Sequence, residues 1–216
     1  MAVSTAEFNA MEQTPYSVAR PKLRTGDIVL FHSSAAPSEL IEHFTDSLWC
    51  HAAIVWNVMP PTDRVMLLES VDTYGVRAMR MSSKINGCPA SPTPYPGKIL
   101  VVRHSALENG MSDAQAHDMT DFAVDRLGYP YSPTELVRIG LRIAAGLAGQ
   151  DLPGVLAPKN AYVCSEYVAG CLQAVGLNIV PDKKGFIAPA DIANDPEVKA
   201  LLSLVHDAEV DEPDAA

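Results

Sequence analysis

Residues 52–69, AAIVWNVMPPTDRVMLLE, contain two short apolar runs joined by a proline-rich turn. The runs at 52–58 and 65–69 have the length and composition of strands, and turn residues bound each of them. The intervening segment 60–63 (PPTD) has the composition of a tight turn. We therefore predict a hairpin in which the two strands are antiparallel.

The same pattern predicts further strands at Ile28 to Phe31, Val76 to Met79 and Ile99 to Val102. The second half of the chain carries helix signals instead, such as the capping box of Ser112 with Gln115 and the stop at Gly128. Helices are predicted from Ser112 to Leu127, from Ser132 through Ile143, from Cys164 or Ser165 to Gly176, and over a short stretch from Ser38 to Phe44. The predicted fold class is α+β, with an antiparallel sheet and helices packed on one side.

The composition is that of a globular protein with a sizeable core. The 216 residues are 48% apolar and carry a formal net charge of −10, without a cluster of Lys and Arg along the sequence. This charge balance disfavours nucleic acid and acidic membrane surfaces as partners. We expect one domain at 23–205, a flexible segment at 1–22 and an acidic flexible tail at 206–216.

Cysteine usage and apolar runs bear on the cellular compartment. The four cysteines are too few and too irregularly spaced for the disulfide framework of a small secreted protein. The first residues lack the basic start and apolar run of a secretory signal, and no run reaches the roughly 18 apolar residues of a membrane span. We therefore expect a cytoplasmic protein, with association with a phage or export by another route as open alternatives.

The segment 162–168, YVCSEYV, places Cys164 at the predicted start of a helix. Unpaired backbone N–H groups and the helix dipole favour the thiolate at that position. Cys164 is therefore a candidate nucleophile. The alternative role is that of a small buried hydrophobic side chain among apolar neighbours.

A thiolate nucleophile usually needs an adjacent base, and histidine has the suitable pKa. Of the six histidines, His51 stands at the beginning of the apolar strand, where the sheet can hold an imidazole rigidly. A catalytic imidazole also needs a polar group that orients it. With the hairpin centred in the 60–63 turn, either Glu69 or Asp72 can lie beside His51, and the spacing does not choose between them.

Six blocks of sequence occur in a characteristic order: TGDIVLF at 25–31, WCHAAIV at 49–55, LLES at 67–70, GVR at 75–77, GYPY at 128–131 and YVCSE at 162–166. Taken together, they resemble the circularly permuted NlpC/P60 proteins, which are papain-like thiol hydrolases of the YiiX and YebB type. In that family the histidine strand precedes the cysteine helix, as it does here. The resemblance covers roughly residues 23–201.

The resemblance implies a cysteine hydrolase in which Cys164 is the nucleophile and His51 its base. It also implies that Glu69, rather than Asp72, orients the imidazole. The reaction is then acyl transfer, with the Cys164 N–H helping to hold the oxyanion. Tyr162 is a candidate for a further hydrogen bond near the oxyanion, or else a buried core tyrosine. The expected substrate is an amide bond in peptides or peptidoglycan-like fragments, and no cofactor or metal is expected.

Two other functions and one metal site are alternatives to this hydrolase. A lipid acyltransferase, thioesterase or phospholipase would use the same three residues and place an acyl chain on the apolar 136–147 segment. A non-catalytic module would bind peptides or cell-wall fragments and leave Cys164 with an ordinary thiol pKa. A zinc site of Cys50, His51, Cys164 and Cys171 is disfavoured, because seven residues separate the last two by about 10 Å on one helix.

Overall fold

The computed structural model describes residues 5–32, 48–59, 64–131, 163–180 and 187–207. Within these residues the strands are β1 Gln13–Pro15, β2 Ile28–His32, β3 His51–Met59, β4 Arg64–Val71, β5 Gly75–Arg80, β6 Lys98–His104 and β7 Val198–Val205. The helices are α1 Thr5–Ala10, α2 Tyr16–Ala19, α3 Met81–Ile85, α4 Asp113–Val124, α5 Cys164–Ala174 and α6 Pro189–Asn194. Short 3-10 turns occupy Arg20–Lys22 and Ser105–Leu107.

The seven described strands form one sheet in the order β1-β7-β6-β2-β3-β4-β5. Only the β1–β7 pair among them is parallel, whereas the other neighbours are antiparallel. The predicted pairing of β3 with β4 is confirmed, since Ile54 pairs with Leu68 and Met59 with Arg64. The predicted turn at 60–63 lies outside the described residues.

The sheet carries apolar side chains on both faces. Along β2, Ile28 and Leu30 belong to one buried cluster with α4 and α5, whereas Val29 and Phe31 belong to another with α2 and α3. Successive side chains of a strand point to opposite faces, so the two clusters lie on the two sides of the sheet. Helices therefore cover both faces, and the prediction that they pack on one side is wrong.

Residues 5–22, expected to be flexible, instead form α1, β1, α2 and a 3-10 turn. Phe8 and Tyr16 are buried, and the Phe8 ring packs edge-on against Trp49 with 4.9 Å between ring centroids. Of the expected tail at 206–216, only His206 and Asp207 are described, and the Asp207 carboxylate accepts a hydrogen bond from the Ser17 N–H at 2.8 Å. Burial of these aromatic rings explains why the segment folds onto the sheet despite its polar composition.

Helices α4 and α5 begin where the sequence predicts, whereas α6 was not predicted. Ser112 and Gln115 form the expected capping box of α4. Helix α5 begins at Cys164, and Gly176 follows its end with a φ of 82°. The helices predicted from Ser38 and from Ser132 lie outside the described residues. No helix within the described part of the chain combines the length and the apolar character needed to cross a membrane.

Candidate active site

Cys164 is the first residue of α5, and Val163 is its N-cap. The first N–H groups of a helix have no partner within the helix, so they are available to a group placed at its start. The Cys164 sulfur accepts backbone hydrogen bonds from the Ser165 N–H and from the Ala52 N–H of β3. The Ala52 N–H is available because the ladder between β3 and β4 ends at the pair Ile54–Leu68. Helix α5 and strand β3 thus converge on one buried sulfur.

His51 is the first residue of β3, and its ring lies between two partners. Its Nε2 is 2.8 Å from Glu69 Oε2. A second hydrogen bond joins the imidazole to the Cys164 side chain. Because Nε2 faces Glu69, Nδ1 is the nitrogen left to face the sulfur. The ring also packs at a tilt against Phe31, with 5.4 Å between centroids.

Near His51, the register of the hairpin matches neither of the two alignments that the spacing allowed. Pairing of Ile54 with Leu68 puts Ala53, not His51, opposite Glu69. His51 and Glu69 are therefore diagonal neighbours on one face, a separation that long side chains can bridge. The methyl group of Ala53 is small enough to leave this diagonal open. Asp72, the other candidate, is exposed and accepts a hydrogen bond from the Thr73 N–H at 2.8 Å.

Glu69 is fully buried and has three cationic or potentially cationic partners. Its Oε2 accepts from His51 and, at 3.0 Å, from Lys84 Nζ. Its Oε1 accepts from Arg77 Nε at 2.9 Å and from Arg77 Nη2 at 2.6 Å. Each oxygen of this carboxylate thus accepts two hydrogen bonds, which fixes the orientation of the carboxylate.

Sequence reasoning did not assign Arg77 and Lys84 to the site. Arg77 is directly opposite Glu69 in the β4–β5 pair. The hairpin signal at 72–75 together with the opposite charges was sufficient to predict that contact. Lys84 lies on α3, a helix of five residues that the sequence analysis did not predict, so the sequence offered no signal for it.

The electrostatics of the three residues are coupled. Burial opposes charge on His51, but the Cys164 and Glu69 anions outweigh it and raise the pKa of the imidazole to about 9. Burial likewise disfavours a Cys164 thiolate, yet the charge and hydrogen bond of His51, with two backbone N–H groups, hold the pKa of Cys164 below its ordinary value. Contacts with His51, Lys84 and Arg77 overcome the effect of burial and lower the pKa of Glu69. The arrangement therefore favours a thiolate, an imidazolium and a carboxylate in a row.

Tyr131 is a further residue of this region that the sequence analysis did not single out. Burial raises the pKa of its phenol, and negative charge on Cys164, Asp72 and Glu166 raises it further. The phenol therefore keeps its proton beside the thiolate. Tyr162, the residue expected near the oxyanion, lies outside the described residues.

The other cysteines have different surroundings. Cys50 is buried, and its Sγ donates to the Phe31 carbonyl at 3.2 Å. Burial raises the pKa of Cys171 to about 12, as expected for a thiol in the core. Among the described residues, no group of three or more His, Cys, Asp or Glu side chains is placed to hold a metal ion. The four residues considered for zinc thus do not form a cluster of ligands.

Comparisons with known proteins agree with this architecture. Residues 22–136 match a family model described as the permuted papain-like amidase enzyme, YaeF/YiiX, C92 family; the match contains His51 and Glu69 and ends before Cys164. The crystal structure of metalloprotein yiiX from Escherichia coli O157:H7 is similar in fold, with a TM-score of 0.57 and 17% identity over 82% of this chain and 96% of that chain. No curated protein matches significantly. Because the family model spans more than half of the sequence, the chain belongs to the permuted papain-like amidases of the YaeF/YiiX, C92 family.

Proposed function

We propose that this protein is a cysteine hydrolase that cleaves amide bonds in peptides or peptidoglycan-like fragments. The observation that supports it best is a single imidazole, His51, hydrogen-bonded to the Cys164 side chain on one side and to Glu69 on the other. A nucleophile, a base and a group that orients the base are the three parts that covalent acyl transfer requires. Membership in an amidase family favours amides over other acyl substrates.

In the first half of the proposed reaction, the Cys164 thiolate attacks the carbonyl carbon of the amide. The carbonyl oxygen becomes an oxyanion, which the Cys164 N–H at the start of α5 is oriented to stabilise. The imidazolium of His51 donates its proton to the leaving nitrogen, the C–N bond breaks, and an acyl-thioester remains on Cys164. We propose Tyr162 as an additional donor near the oxyanion.

In the second half, neutral His51 removes a proton from water while the oxygen attacks the thioester carbonyl. The C–S bond then breaks, the carboxylic acid leaves, and the thiolate and imidazolium are restored. Glu69 holds the ring with Nδ1 towards the sulfur, and its negative charge stabilises the imidazolium in both halves. Arg77 supports this role by holding the Glu69 oxygen that His51 does not use, and Lys84 donates to the oxygen that His51 uses.

The related yiiX structure is described as a metalloprotein. In this chain, the candidate ligands at the site are one thiolate, one imidazole and Glu69, and both Glu69 oxygens already accept hydrogen bonds from cationic side chains. These donors do not match a three-ligand metal site, so the proposed reaction contains no metal step. Wider kinship with the NlpC/P60 and YebB-type proteins stays a prediction.

The proposal is tested by incubating the purified protein with a panel of peptides, peptidoglycan fragments, thioesters and lipid esters, and following products by mass spectrometry. We expect cleavage of at least one amide and none by Cys164→Ala. Cys171→Ala is the matched control, because it removes a thiol from the same helix without touching His51. Turnover of lipid esters alone would replace amides by lipids as substrate, and full activity of Cys164→Ala would contradict the mechanism.

A further inference from the structure

A polar cavity lies where β4 begins and β5 ends, away from the His51–Cys164 pair. It has a volume of about 310 Å³ and is lined by Tyr16, Arg20, Arg64, Val65, Arg80 and Ser82. Arg64 precedes Glu69 by five residues on β4, which corresponds to about 16 Å at the rise of a strand. We propose that this cavity, here called the arginine pocket, binds a phosphate group, either free or as the monoester of a small molecule.

The first argument is the charge of the pocket. Three arginines line it in a protein whose formal net charge is −10. They come from the 3-10 turn after α2, the first residue of β4 and the last residue of β5, so only folding brings them together. None of the three forms an ion pair with a described residue. Like charges gathered at one place repel each other, and a bound anion removes that cost.

The carboxylate of Asp207, which interacts with Arg20 and Tyr16, does not neutralise the pocket. Asp207 interacts electrostatically with Arg20 but accepts its hydrogen bonds from the Ser17 N–H and, at 2.7 Å, from Asn86 Nδ2. Its orientation is therefore set by α2 and by the segment after α3. A single carboxylate also cannot balance three cations, so the pocket keeps a positive excess that suits a dianion better than a monoanion.

The second argument is an unsatisfied donor. Arg20 Nε is buried and has no hydrogen-bond partner among the described residues. A buried donor without an acceptor costs free energy of folding, so such a group in a cavity indicates an acceptor that enters the cavity. The planar guanidinium presents paired N–H groups that match the oxygens of a phosphate.

The remaining lining groups also donate. Burial raises the pKa of Tyr16 to about 12, so its phenol stays protonated, and Ser82 adds a hydroxyl group. Within the described part of the chain, no acidic side chain lines the pocket. A volume of about 310 Å³ is at the lower end of the range for small-molecule sites, which fits a phosphate with a compact organic group.

The experiment is isothermal titration calorimetry of the full chain at pH 7 and constant ionic strength, with inorganic phosphate, glucose 6-phosphate and acetate as separate probes. We expect at least one phosphate probe to bind at least tenfold more tightly than acetate. Arg64→Gln/Arg80→Gln should weaken that binding at least tenfold. Both arginines are exposed, so the double variant should fold, and far-ultraviolet circular dichroism verifies it; the single variants replace it if it does not.

The matched control is Arg24→Gln/Lys199→Gln, which changes the net charge equally but removes exposed cations outside the pocket. This control should retain the affinity of the wild type within twofold, as should Cys164→Ala. Tighter binding of glucose 6-phosphate identifies an esterified ligand and tighter binding of phosphate a free one; both support the proposal. Absence of binding by both phosphate probes, equal binding of acetate, equal weakening in the control, or loss of binding in Cys164→Ala would overturn it.

Discussion

The His51 imidazole and the Lys84 ammonium share one oxygen of Glu69, at 2.8 Å and 3.0 Å respectively. The other oxygen is held by Arg77. A carboxylate whose one partner is a histidine stabilises only the imidazolium. Here two permanent cations, Arg77 and Lys84, also interact with Glu69, and their positive charges partly offset its effect on His51. The pKa of the imidazole is nevertheless raised, because the Cys164 thiolate acts on it from the opposite side in addition to Glu69. The site therefore depends on the thiolate and imidazolium stabilising each other.

The first prediction concerns the reactivity of Cys164. Replacing His51 by Ala removes the positive charge and the hydrogen bond that lower the pKa of the thiol. We expect the alkylation of Cys164 by iodoacetamide at pH 6 to slow by about tenfold or more, because only the thiolate reacts. The rate is measured by mass spectrometry of the peptide that contains Cys164. His32→Ala, a change at the end of β2, serves as the control, and identical rates in wild type and His51→Ala would contradict the pairing.

The second prediction is the pH profile of hydrolysis. The His51 pKa of about 9 lies above neutrality, and the pKa of Cys164 lies below its ordinary value, so the reactive ion pair exists between the two. Activity should therefore fall as the pH rises through about 9, since His51 then lacks the proton for the leaving nitrogen. It should also fall at acidic pH, where the thiolate is protonated. The two apparent pKa values from the pH dependence of kcat/KM belong to the coupled pair of Cys164 and His51. Activity that keeps rising above pH 9 would contradict an imidazolium proton donor.

Most of the sheet could be predicted from the sequence, because the apolar runs of β2 to β6 are short and bounded by turn residues. Strand β7, with the sequence VKALLSLV, was missed. It lacks strict alternation and depends on pairing with β6, nearly 100 residues earlier in the chain, which local patterns do not report. The first helix was missed for a related reason, since the burial of Phe8 depends on a distant partner, Trp49.

The candidate site was predictable in its residue types more than in its geometry. Residue spacing left Glu69 and Asp72 as equal candidates beside His51, and only the resemblance chose Glu69. The pair Met59–Arg64 fits the Asp72 alignment, but a register shift between Val55 and Asn57 moves the pairing of β3 with β4 by one residue. The two side chains still meet because both are long enough for a diagonal contact. A bulge inserts or removes one residue without an obvious signal, so arithmetic on a hairpin cannot locate it.

The third prediction concerns stability in acid. The pKa of Glu69 is lowered in the folded protein, whereas a glutamate in an unfolded chain titrates near 4.3. Its contribution to stability is therefore fully present above that pH and is lost as the pH falls below it. Glu69→Gln should lower the free energy of unfolding at pH 7 by about 1–3 kcal/mol, because Arg77 and Lys84 lose an anionic partner. The measurement is urea unfolding at pH 7 and pH 3.

The difference between the two pH values should be smaller for Glu69→Gln than for the wild type, since the variant has no carboxylate to protonate at this position. Asp121→Asn is the matched control, because Asp121 is exposed and pairs only with the exposed His117 among the described residues. It should leave both free energies of unfolding nearly unchanged. An equal loss of stability between pH 7 and pH 3 in wild type and Glu69→Gln would show that the Glu69 network does not set the acid sensitivity.

The fourth prediction tests how the turn before β5 positions Arg77. Gly75 has a φ of 66°, and a Cβ at this position would collide with the Tyr129 carbonyl, which accepts a hydrogen bond from the Val76 N–H at 2.9 Å. Gly75→Ala therefore meets both backbone strain and a rigid backbone atom. The matched control is Gly110→Ala, where φ is 87° and no atom lies within 4 Å of the added methyl group. Both changes cost about 1 kcal/mol of backbone strain, and Gly75→Ala should cost at least 1–2 kcal/mol more in urea unfolding. Val71 pairs with Gly75 at the end of the ladder that places Arg77 opposite Glu69. Gly75→Ala should therefore also slow the alkylation of Cys164, whereas Gly110→Ala should not. Equal effects of the two changes would mean that this turn does not position Arg77.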